Sequence, residues 1–378
     1  MSPLPLAGIT ICELGHSVAA PFAAQVLGDL GASVMKIEKP AGDDARRWGP
    51  PFWDGESAIF QTLNRNKGSA ALDLRDPEQR AALRTFIIDE CDVVLQNMRP
   101  GQVEELGIDG ATLLAAKPGL IYCNLGAFGG VGPLADRPGY DPLMQAFSGL
   151  MSVTGEEGRP PVRVGVSIVD MGTGLWAVIG ILAALRRRTE TGQGGIVDVS
   201  LFETAAAWMS VPAAQYLAGG MLPERKGSGA QGIVPYRAYR TSDGDLVVAA
   251  GNDSLFRKLC AALGREEWLA DPRFASNPDR VAHEALLYGM IEAEMLARSN
   301  ADWTAIFEAA GLPCAPAQSV AEMLAHPQTE ALGLLQAMPE SDVRAIGLPL
   351  RFDGERPQPR QRPPALGADT ARIRKTTP

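Results

Sequence analysis

The regular alternation of strand-like and helix-like segments in the first 130 residues constrains the fold of this chain more than any other feature. Apolar, β-branched runs predict strands over residues 9–14, 33–38, 69–74, 92–96 and 120–125. Helical patterning lies between these runs, and one such helix follows Asp76, which is placed to cap it. Strands that alternate with helices form a parallel sheet joined by right-handed crossovers. We therefore predict a fold of the α/β class.

A parallel sheet of this kind also predicts where a ligand binds. Ligands bind beyond the carboxyl ends of the strands, so the residues that follow each strand are the candidates. These residues are His16, Ser17, Lys39, Arg75, Asn97, Met98, Ala127 and Phe128.

The segment around Asp170 allows two interpretations. Residues 161–169 alternate in polarity and predict a strand that ends at Asp170, followed by an apolar helix that contains the run 175–185. That run is too short to cross a bilayer, which takes about 20 residues, and indicates a buried core helix. An aspartate between a strand and a helix is most often an N-cap, but carboxylates also serve as covalent nucleophiles. The residues alone leave both interpretations open.

The character of the chain changes after Pro223. An SDGD sequence between residues 236–241 and 246–250 predicts a hairpin, and charged helical segments continue to about residue 310. We predict that residues 1–224 form the first part of a large α/β domain and residues 225–312 a smaller α+β domain. Residues 313–378 then form a return linker and tail that complete the large domain.

Composition excludes several classes of function. The net charge is −9 and no basic block occurs, which argues against a nucleic-acid partner. The five cysteines and three histidines have no ligand spacing, so we predict neither a disulfide framework nor a metal site. The N-terminus lacks the basic and apolar regions of a signal peptide, and we expect a cytoplasmic protein without a membrane partner.

Two further sequence features have more than one interpretation. Residues 227–232 read GSGAQG, but no strand precedes them and no helix follows, so a flexible loop is favoured over a dinucleotide site. Seven cations occur between residues 36 and 75, and they form either a solvated face or a phosphate site.

Nine segments occur in one order along nearly the whole chain. They are APFAAQVLGDLGASVMKIEKP, LNRNKGSAALDLRDPE, DVVLQNMRPG, GAFGGVGPLADRPGYDPLMQAFSGLMSVTG, VSIVDMGTG, GQGGIVDVSLFETA, LADPRFASNPDR, GLPCAPAQSVAEML and PPALG. Together they resemble the class III CoA-transferases, the formyl-CoA transferase and CaiB/BaiF group. The resemblance implies a Rossmann-like large domain, an interlocked homodimer and an enzyme of EC 2.8.3 type that moves CoA from an acyl-CoA to a carboxylic acid. It implies CoA as a substrate, with no tightly bound cofactor and no metal.

The resemblance also implies a mechanism. Asp170 matches the family's nucleophile, which forms a mixed anhydride with the acyl group and then an aspartyl-CoA thioester. Gly229 and Gly232 are candidates for a glycine loop that shields the anhydride from water and holds an oxyanion.

The CoA contacts of the family carry over to residues at or near the predicted strand ends. They are His16, Ser17, Lys39, Leu72, Leu74, Arg75, Asn97, Met98, Arg137 and Tyr140. Lys39 is expected near the adenine and Arg75 or Arg137 near the phosphates. Glu105 stands where many relatives have an arginine near those phosphates, so the other cations are expected to bind them.

Two alternatives remain at the level of sequence. One is a 2-methylacyl-CoA racemase, in which a histidine of a GHD segment moves a proton. Here the matching segment is Gly139-Tyr140-Asp141, and a tyrosine with a pKa near 10 is a poor base at neutral pH. The other is a catalytically silent CoA-binding protein that keeps Asp170 as a helix cap. The sequence favours the transferase.

Overall fold

The computed structural model describes residues 4–53 and 55–374, which separate into two compact units. The larger unit is drawn from Met1–Leu150, Val164–Val211 and Pro327–Pro378, and the smaller from Met151–Arg163 and Pro212–His326. The smaller unit thus begins before residue 225, ends after residue 312 and includes an additional segment from the middle of the chain.

The first part of the chain follows the alternation that the sequence predicts. Its elements are β1 (Thr10–Leu14), α1 (Ala19–Asp29), β2 (Ser33–Glu38), β3 (Phe52–Trp53), β4 (Glu56–Ser57), α2 (Ala58–Leu63), β5 (Lys67–Ala71), α3 (Pro77–Glu90), β6 (Val93–Gln96), α4 (Gln102–Glu105), α5 (Gly110–Ala116) and β7 (Ile121–Gly126). Asp76 caps α3 by accepting from the N–H of Glu78, with Pro77 in the first turn, as predicted.

The middle of the chain adds the remaining helices and the last strand of the large sheet. These elements are α6 (Asp141–Phe147), α7 (Ile168–Thr191), β8 (Gly195–Ser200), α8 (Leu201–Trp208) and α9 (Ser210–Gly219). Six strands form one sheet in the order β5-β2-β1-β6-β7-β8, and every pair in it is parallel. The predicted parallel sheet is therefore confirmed.

Helices cover both faces of this sheet, which explains why its strands are apolar without alternation. On β1, Ile11 faces one buried cluster with α1 and α7, and Cys12 faces a second cluster with α3. Val93 and Val94 of β6 divide between the same two clusters.

The strand predicted over residues 161–169 is wrong. Residues 161–167 are an irregular segment in which Val162 and Val166 are 47% and 59% exposed, so the alternation has no sheet to face. Helix α7 begins at Ile168 and runs for 24 residues. Asp170 therefore lies in the first turn of a helix and does not end a strand.

Helix α7 is longer than its apolar run, because it includes residues 168–174 before the run and residues 186–191 after it. A Cβ atom at Gly174 would lie 2.8 Å from the carbonyl oxygen of Ala19, so glycine here permits close packing on α1. Among the described residues α7 is the one helix long and apolar enough to cross a membrane, and half of its most apolar stretch is buried inside the protein. That burial agrees with the predicted core helix.

The smaller unit has its own sheet and core. Its elements are β9 (Tyr236–Arg240), β10 (Asp245–Ala249), α10 (Asp253–Leu263), α11 (Asn277–Ala282), α12 (Glu284–Met295), α13 (Asn300–Ala309), β11 (Cys314–Pro316) and α14 (Val320–Ala325). Strands β9 and β10 form the predicted hairpin, and β11 adds to it in antiparallel orientation. The unit is of the predicted α+β type.

The last part of the chain returns to the larger unit. Its elements are α15 (Pro327–Ala331), β12 (Leu335–Ala337), β13 (Arg344–Ile346) and α16 (Thr370–Arg374). Between β13 and α16 the chain lacks a helix or strand and is fixed by polar contacts. The guanidinium of Arg360 donates to the carbonyl oxygens of Gly28 and Ala32, and Asp369 accepts from the N–H of Ser69.

Candidate active site

The carboxyl ends of the strands open into a cavity of about 1470 Å³ within the larger unit. Eleven residues that the sequence analysis proposed line this one cavity: His16, Ser17, Lys39, Leu72, Leu74, Arg75, Asn97, Met98, Arg137, Tyr140 and Asp170. Ala127 also lines it, but Phe128 instead packs edge-on against Phe147 with ring centroids 5.2 Å apart. Seven of the eight residues that topology alone proposed therefore line the cavity.

The loop after β1 is held by the side chain of Asn97. The N–H of His16 donates to Oδ1 of Asn97 at 3.0 Å, and Nδ2 of Asn97 donates to the carbonyl oxygen of His16 at 2.9 Å. The next residue, Ser17, has a φ of +68° and donates its N–H to Asp43. The amide of Asn97 thus fixes the loop backbone, a role that the resemblance did not assign to it.

A buried ionic cluster also holds the loop after β1 in place. Lys36 pairs with Glu13 and Asp43 at 3.0 Å each and donates to the carbonyl oxygen of Gly15, while Lys67 pairs with Glu13 at 2.8 Å. Burial lowers the pKa of Lys67 to about 8. These lysines belong to the cation run between residues 36 and 75, so part of that run is neither a solvated face nor a phosphate site.

The cations that face the cavity differ in how they are paired. Lys39 lies 2.8 Å from Asp44, and Arg75 lies 2.8 Å from Asp73. Within the described part of the chain, Arg137 and Arg99 form no ion pair, and both line the cavity.

Sequence reasoning missed Arg99, although it comes directly after the strand-end residues Asn97 and Met98. It also borders a second, open cavity of about 470 Å³ together with Pro100, Gln102 and Glu105. Glu105, at the end of the short helix α4, therefore borders the same open cavity as Arg99.

Asp170 is the third residue of α7, and its N-cap interpretation is wrong because Ser167 holds that position. In the described residues no hydrogen bond or ion pair engages its carboxylate oxygens. Burial, and secondly the charge of Asp141, raise the pKa of Asp170 to about 7. A carboxylate with this pKa is more basic than an ordinary aspartate and is still largely ionised at pH 8.

Asp141 is a second acidic residue that sequence reasoning missed. It is only 2% exposed, and its Oδ2 accepts from the N–H groups of Val169 at 2.8 Å and Asp170 at 3.2 Å. Its neighbour Tyr140 is 60% exposed and lines the cavity. Asp141 ends the Gly139-Tyr140-Asp141 segment and immediately follows Tyr140, so its place beside a predicted contact residue was the available signal.

The two glycines proposed for an oxyanion loop lie in the smaller unit. The N–H of Gly229 donates to the carbonyl oxygen of Lys226 at 2.9 Å, so a local turn already uses it. Gly232 has a φ of +76°, and its carbonyl oxygen accepts from the side chain of Asn277. Neither lines the cavity of the larger unit.

The sequence model of a known protein family, CoA-transferase family III, matches residues 6–370 of the chain. The chain belongs to this family. The match covers the nine segments of the sequence analysis, so the recognition made from those segments is confirmed.

Named relatives agree with this membership. The chain is 37% identical to the succinyl-CoA:glutarate CoA-transferase of Mus musculus, over 98% of this chain and 86% of that one. It is 38% identical to the succinate–glutarate CoA-transferase of Agrobacterium fabrum, over 94% and 92%. A solved CaiB/BaiF family structure from Brucella suis has a TM-score of 0.89 and 39% identity, covering 99% of each chain. The chain is therefore a CoA-transferase, and its substrates are an acyl-CoA and a carboxylic acid.

Proposed function

We propose that CoA transfer proceeds through covalent intermediates on Asp170 in the cavity of the larger unit. The observation that carries the proposal is an aspartate at the cavity wall whose oxygens have no partner in the described residues and whose pKa is raised. A carboxylate paired with a cation or bonded to backbone N–H groups would be a weaker nucleophile. Asp170 has neither restraint.

The proposed steps balance without a net proton. An oxygen of Asp170 attacks the thioester carbonyl, the C–S bond breaks, and CoA leaves as the thiolate with a mixed anhydride left behind. The thiolate attacks the Asp170 carbonyl, which releases the donor acid and leaves an aspartyl-CoA thioester. The acceptor carboxylate then attacks that thioester, its C–S bond breaks to release the CoA thiolate, and a second mixed anhydride joins the acceptor to Asp170. The thiolate attacks the acceptor carbonyl of this anhydride, which gives the new acyl-CoA and regenerates the carboxylate of Asp170.

CoA is proposed to extend along the cavity from the first loop to Asp170. The adenine lies near His16 and Lys39, and the thiol points toward Asp170. Because Arg137 and Arg99 carry no internal counter-charge in the described chain, they are better placed to bind phosphates than Arg75. Arg99 then supplies the charge that Glu105 does not.

The names of relatives indicate the class of acids. Those from Mus musculus and Agrobacterium fabrum are named for succinyl-CoA or succinate and for glutarate. We therefore propose that dicarboxylic acids are the exchanged substrates. Succinyl-CoA offered with glutarate should yield glutaryl-CoA faster than acetate yields acetyl-CoA, as read by mass spectrometry. Faster transfer to acetate would contradict the substrate proposal while leaving the covalent mechanism intact.

Trapping the acyl-enzyme tests the mechanism directly. Incubation with succinyl-CoA, followed by hydroxylamine, should convert one carboxylate to a hydroxamate, in the peptide that contains Asp170. The matched control is Glu190→Gln, a carboxylate-to-amide change at the exposed far end of α7, which should label normally. Label on another peptide would refute the assignment of Asp170.

We further propose that the enzyme is a cytoplasmic homodimer in which a second copy covers α7. Leu175, Trp176, Ile179 and Leu182 form an exposed apolar stripe along this helix, although it lies in a folded unit. Light scattering should give about twice the chain mass of 40.1 kDa, and Ile179→Glu should shift it toward one chain mass. A monomer at micromolar concentration would contradict the proposal.

A further inference from the structure

The N-terminus of helix α7 is capped by a residue from another helix. Ser167 occupies the N-cap position, but its side chain makes no capping hydrogen bond. Oδ2 of Asp141 accepts from the N–H groups of Val169 and Asp170 instead. Since the first four N–H groups of a helix lack partners within it, Asp141 satisfies two that would otherwise be open.

Asp141 is itself held in place by a buried amide. Its Oδ1 accepts from Nε2 of Gln145 at 2.6 Å, and Oε1 of Gln145 accepts from the N–H of Val164 at 2.8 Å. The carboxylate is 2% exposed and both of its oxygens are bonded. A buried charge with this many donors has a fixed position, so the first turn of α7 is fixed with it.

An aspartate in the first turn of a helix ordinarily turns toward the free N–H groups and is stabilised by the helix dipole. Asp170 is in that turn, but Asp141 already takes the N–H of Asp170 itself and that of its neighbour. The carboxylate of Asp170 is therefore left without a backbone donor at the helix end.

The other acidic groups on the elements that pack against α7 are engaged elsewhere. Asp29 of α1 pairs with Arg65 at 2.6 Å, Asp198 of β8 accepts from Asn124, and Glu203 of α8 accepts from Ser200. Besides burial, the charge that raises the pKa of Asp170 is that of Asp141.

We propose that Asp141 is a positioning residue for the nucleophile: by occupying the helix-end N–H groups, it keeps the carboxylate of Asp170 free to attack the thioester. The inference rests on the proposed function of Asp170. Asp141 does not touch the substrate in this scheme. It acts through the backbone of α7 and through its negative charge.

Two substitutions separate the two roles of Asp141, which are its hydrogen bonds to the backbone of α7 and its negative charge. Asp141→Asn keeps an oxygen for the N–H groups but removes the charge, whereas Asp141→Ala removes both. The measurement is the single-turnover rate at which succinyl-CoA forms the aspartyl-CoA thioester on Asp170, read by peptide mass between pH 5 and 9. Glu190→Gln on the same helix is the control, and circular dichroism at each pH reports folding.

The expected results follow from the two roles. In the unsubstituted enzyme the rate should reach half its plateau near pH 7, since the pKa of Asp170 is about 7. In Asp141→Asn the midpoint should fall by about one pH unit and the plateau by about tenfold, because a less basic carboxylate is a weaker nucleophile. In Asp141→Ala the plateau should fall by about a hundredfold, because Asp170 is then drawn to the open N–H groups.

A purely structural role would change folding or the amount of active enzyme but leave the pH midpoint in place. An unchanged midpoint and plateau in folded Asp141→Asn would overturn this inference alone. Absence of any thioester on Asp170 in the unsubstituted enzyme would overturn the proposed function, and this inference with it. If Asp141→Ala does not fold, the pH midpoint of the single-turnover rate in the near-isosteric Asp141→Asn still tests the proposal.

Discussion

Replacing Asp170 by asparagine should stabilise the fold while abolishing transfer. The folded-state pKa of Asp170 is about 7, against an ordinary value of 3.8. A carboxyl group with a raised folded-state pKa binds its proton more tightly when folded, so stability declines as the pH rises from about 4 to about 7. At pH 8 the difference corresponds to at most about 4 kcal/mol of destabilisation. Asparagine carries no charge and removes that cost.

The expected gain in the free energy of unfolding is about 2–4 kcal/mol at pH 8, because a partly buried amide still costs some desolvation. At pH 5 the electrostatic part of the gain should be only about 1.6 kcal/mol, because the unfolded carboxyl is then ionised while the native one is still mostly protonated. Urea unfolding at fixed protein concentration, at pH 5, 6, 7 and 8, measures the difference in the free energy of unfolding between Asp170→Asn and the unsubstituted enzyme. Glu190→Gln, whose parent side chain is exposed, should differ by less than about 0.5 kcal/mol at every pH.

Three results bear on the reasoning. A gain that grows with pH and levels off above pH 7, together with lost transfer, supports both the raised pKa and the nucleophile. If the gain in the free energy of unfolding that Asp170→Asn brings is no larger at pH 8 than at pH 5, the electrostatic argument is refuted. Near-normal transfer by Asp170→Asn refutes the covalent mechanism, because an amide cannot form the anhydride.

The remaining predictions concern CoA binding. Lys39→Glu should raise the KM for succinyl-CoA about tenfold with little change in melting temperature, since Lys39 is exposed and, among the described residues, pairs with exposed Asp44; an unchanged KM would remove Lys39 from the CoA site. Arg99→Ala should raise that KM about tenfold or more, and Glu105→Arg should lower it, because the two side chains border one cavity. A rise in KM for Glu105→Arg would show that the phosphates lie elsewhere, and kinetics across a range of salt concentrations would separate a charge effect from a packing effect.

Much of the large sheet was predictable because its strands are buried on both faces. Continuous apolar runs such as that of β6 are assigned to strands by their length of four to six residues and by their β-branched residues. Their ends then place the predicted ligand residues, which is why most of the predicted lining shares one cavity.

Other features depend on partners that are distant in sequence. Alternation over residues 161–169 predicted a strand, but Asp141, 28 residues before Val169, starts a helix there. Cations at Lys36 and Lys67 suggested surface or phosphate roles, yet Glu13 pairs with both in the interior. Neither pairing has a local pattern, so a single sequence could not indicate it.

The close contact between α1 and α7 has a consequence for the length of the substrate. Helix α1 begins at Ala19, two residues after the Ser17 loop, and α7 carries Asp170 one turn before Gly174. A Cβ atom on Gly174 would lie 2.8 Å from the carbonyl oxygen of Ala19, so two backbones meet there without an intervening side chain. This contact therefore fixes the spacing between the first loop and the carboxylate of Asp170, the proposed nucleophile. A chain with alanine at this point would have to hold the two backbones farther apart, and the length of acyl-CoA that fits the proposed binding mode would change with that distance.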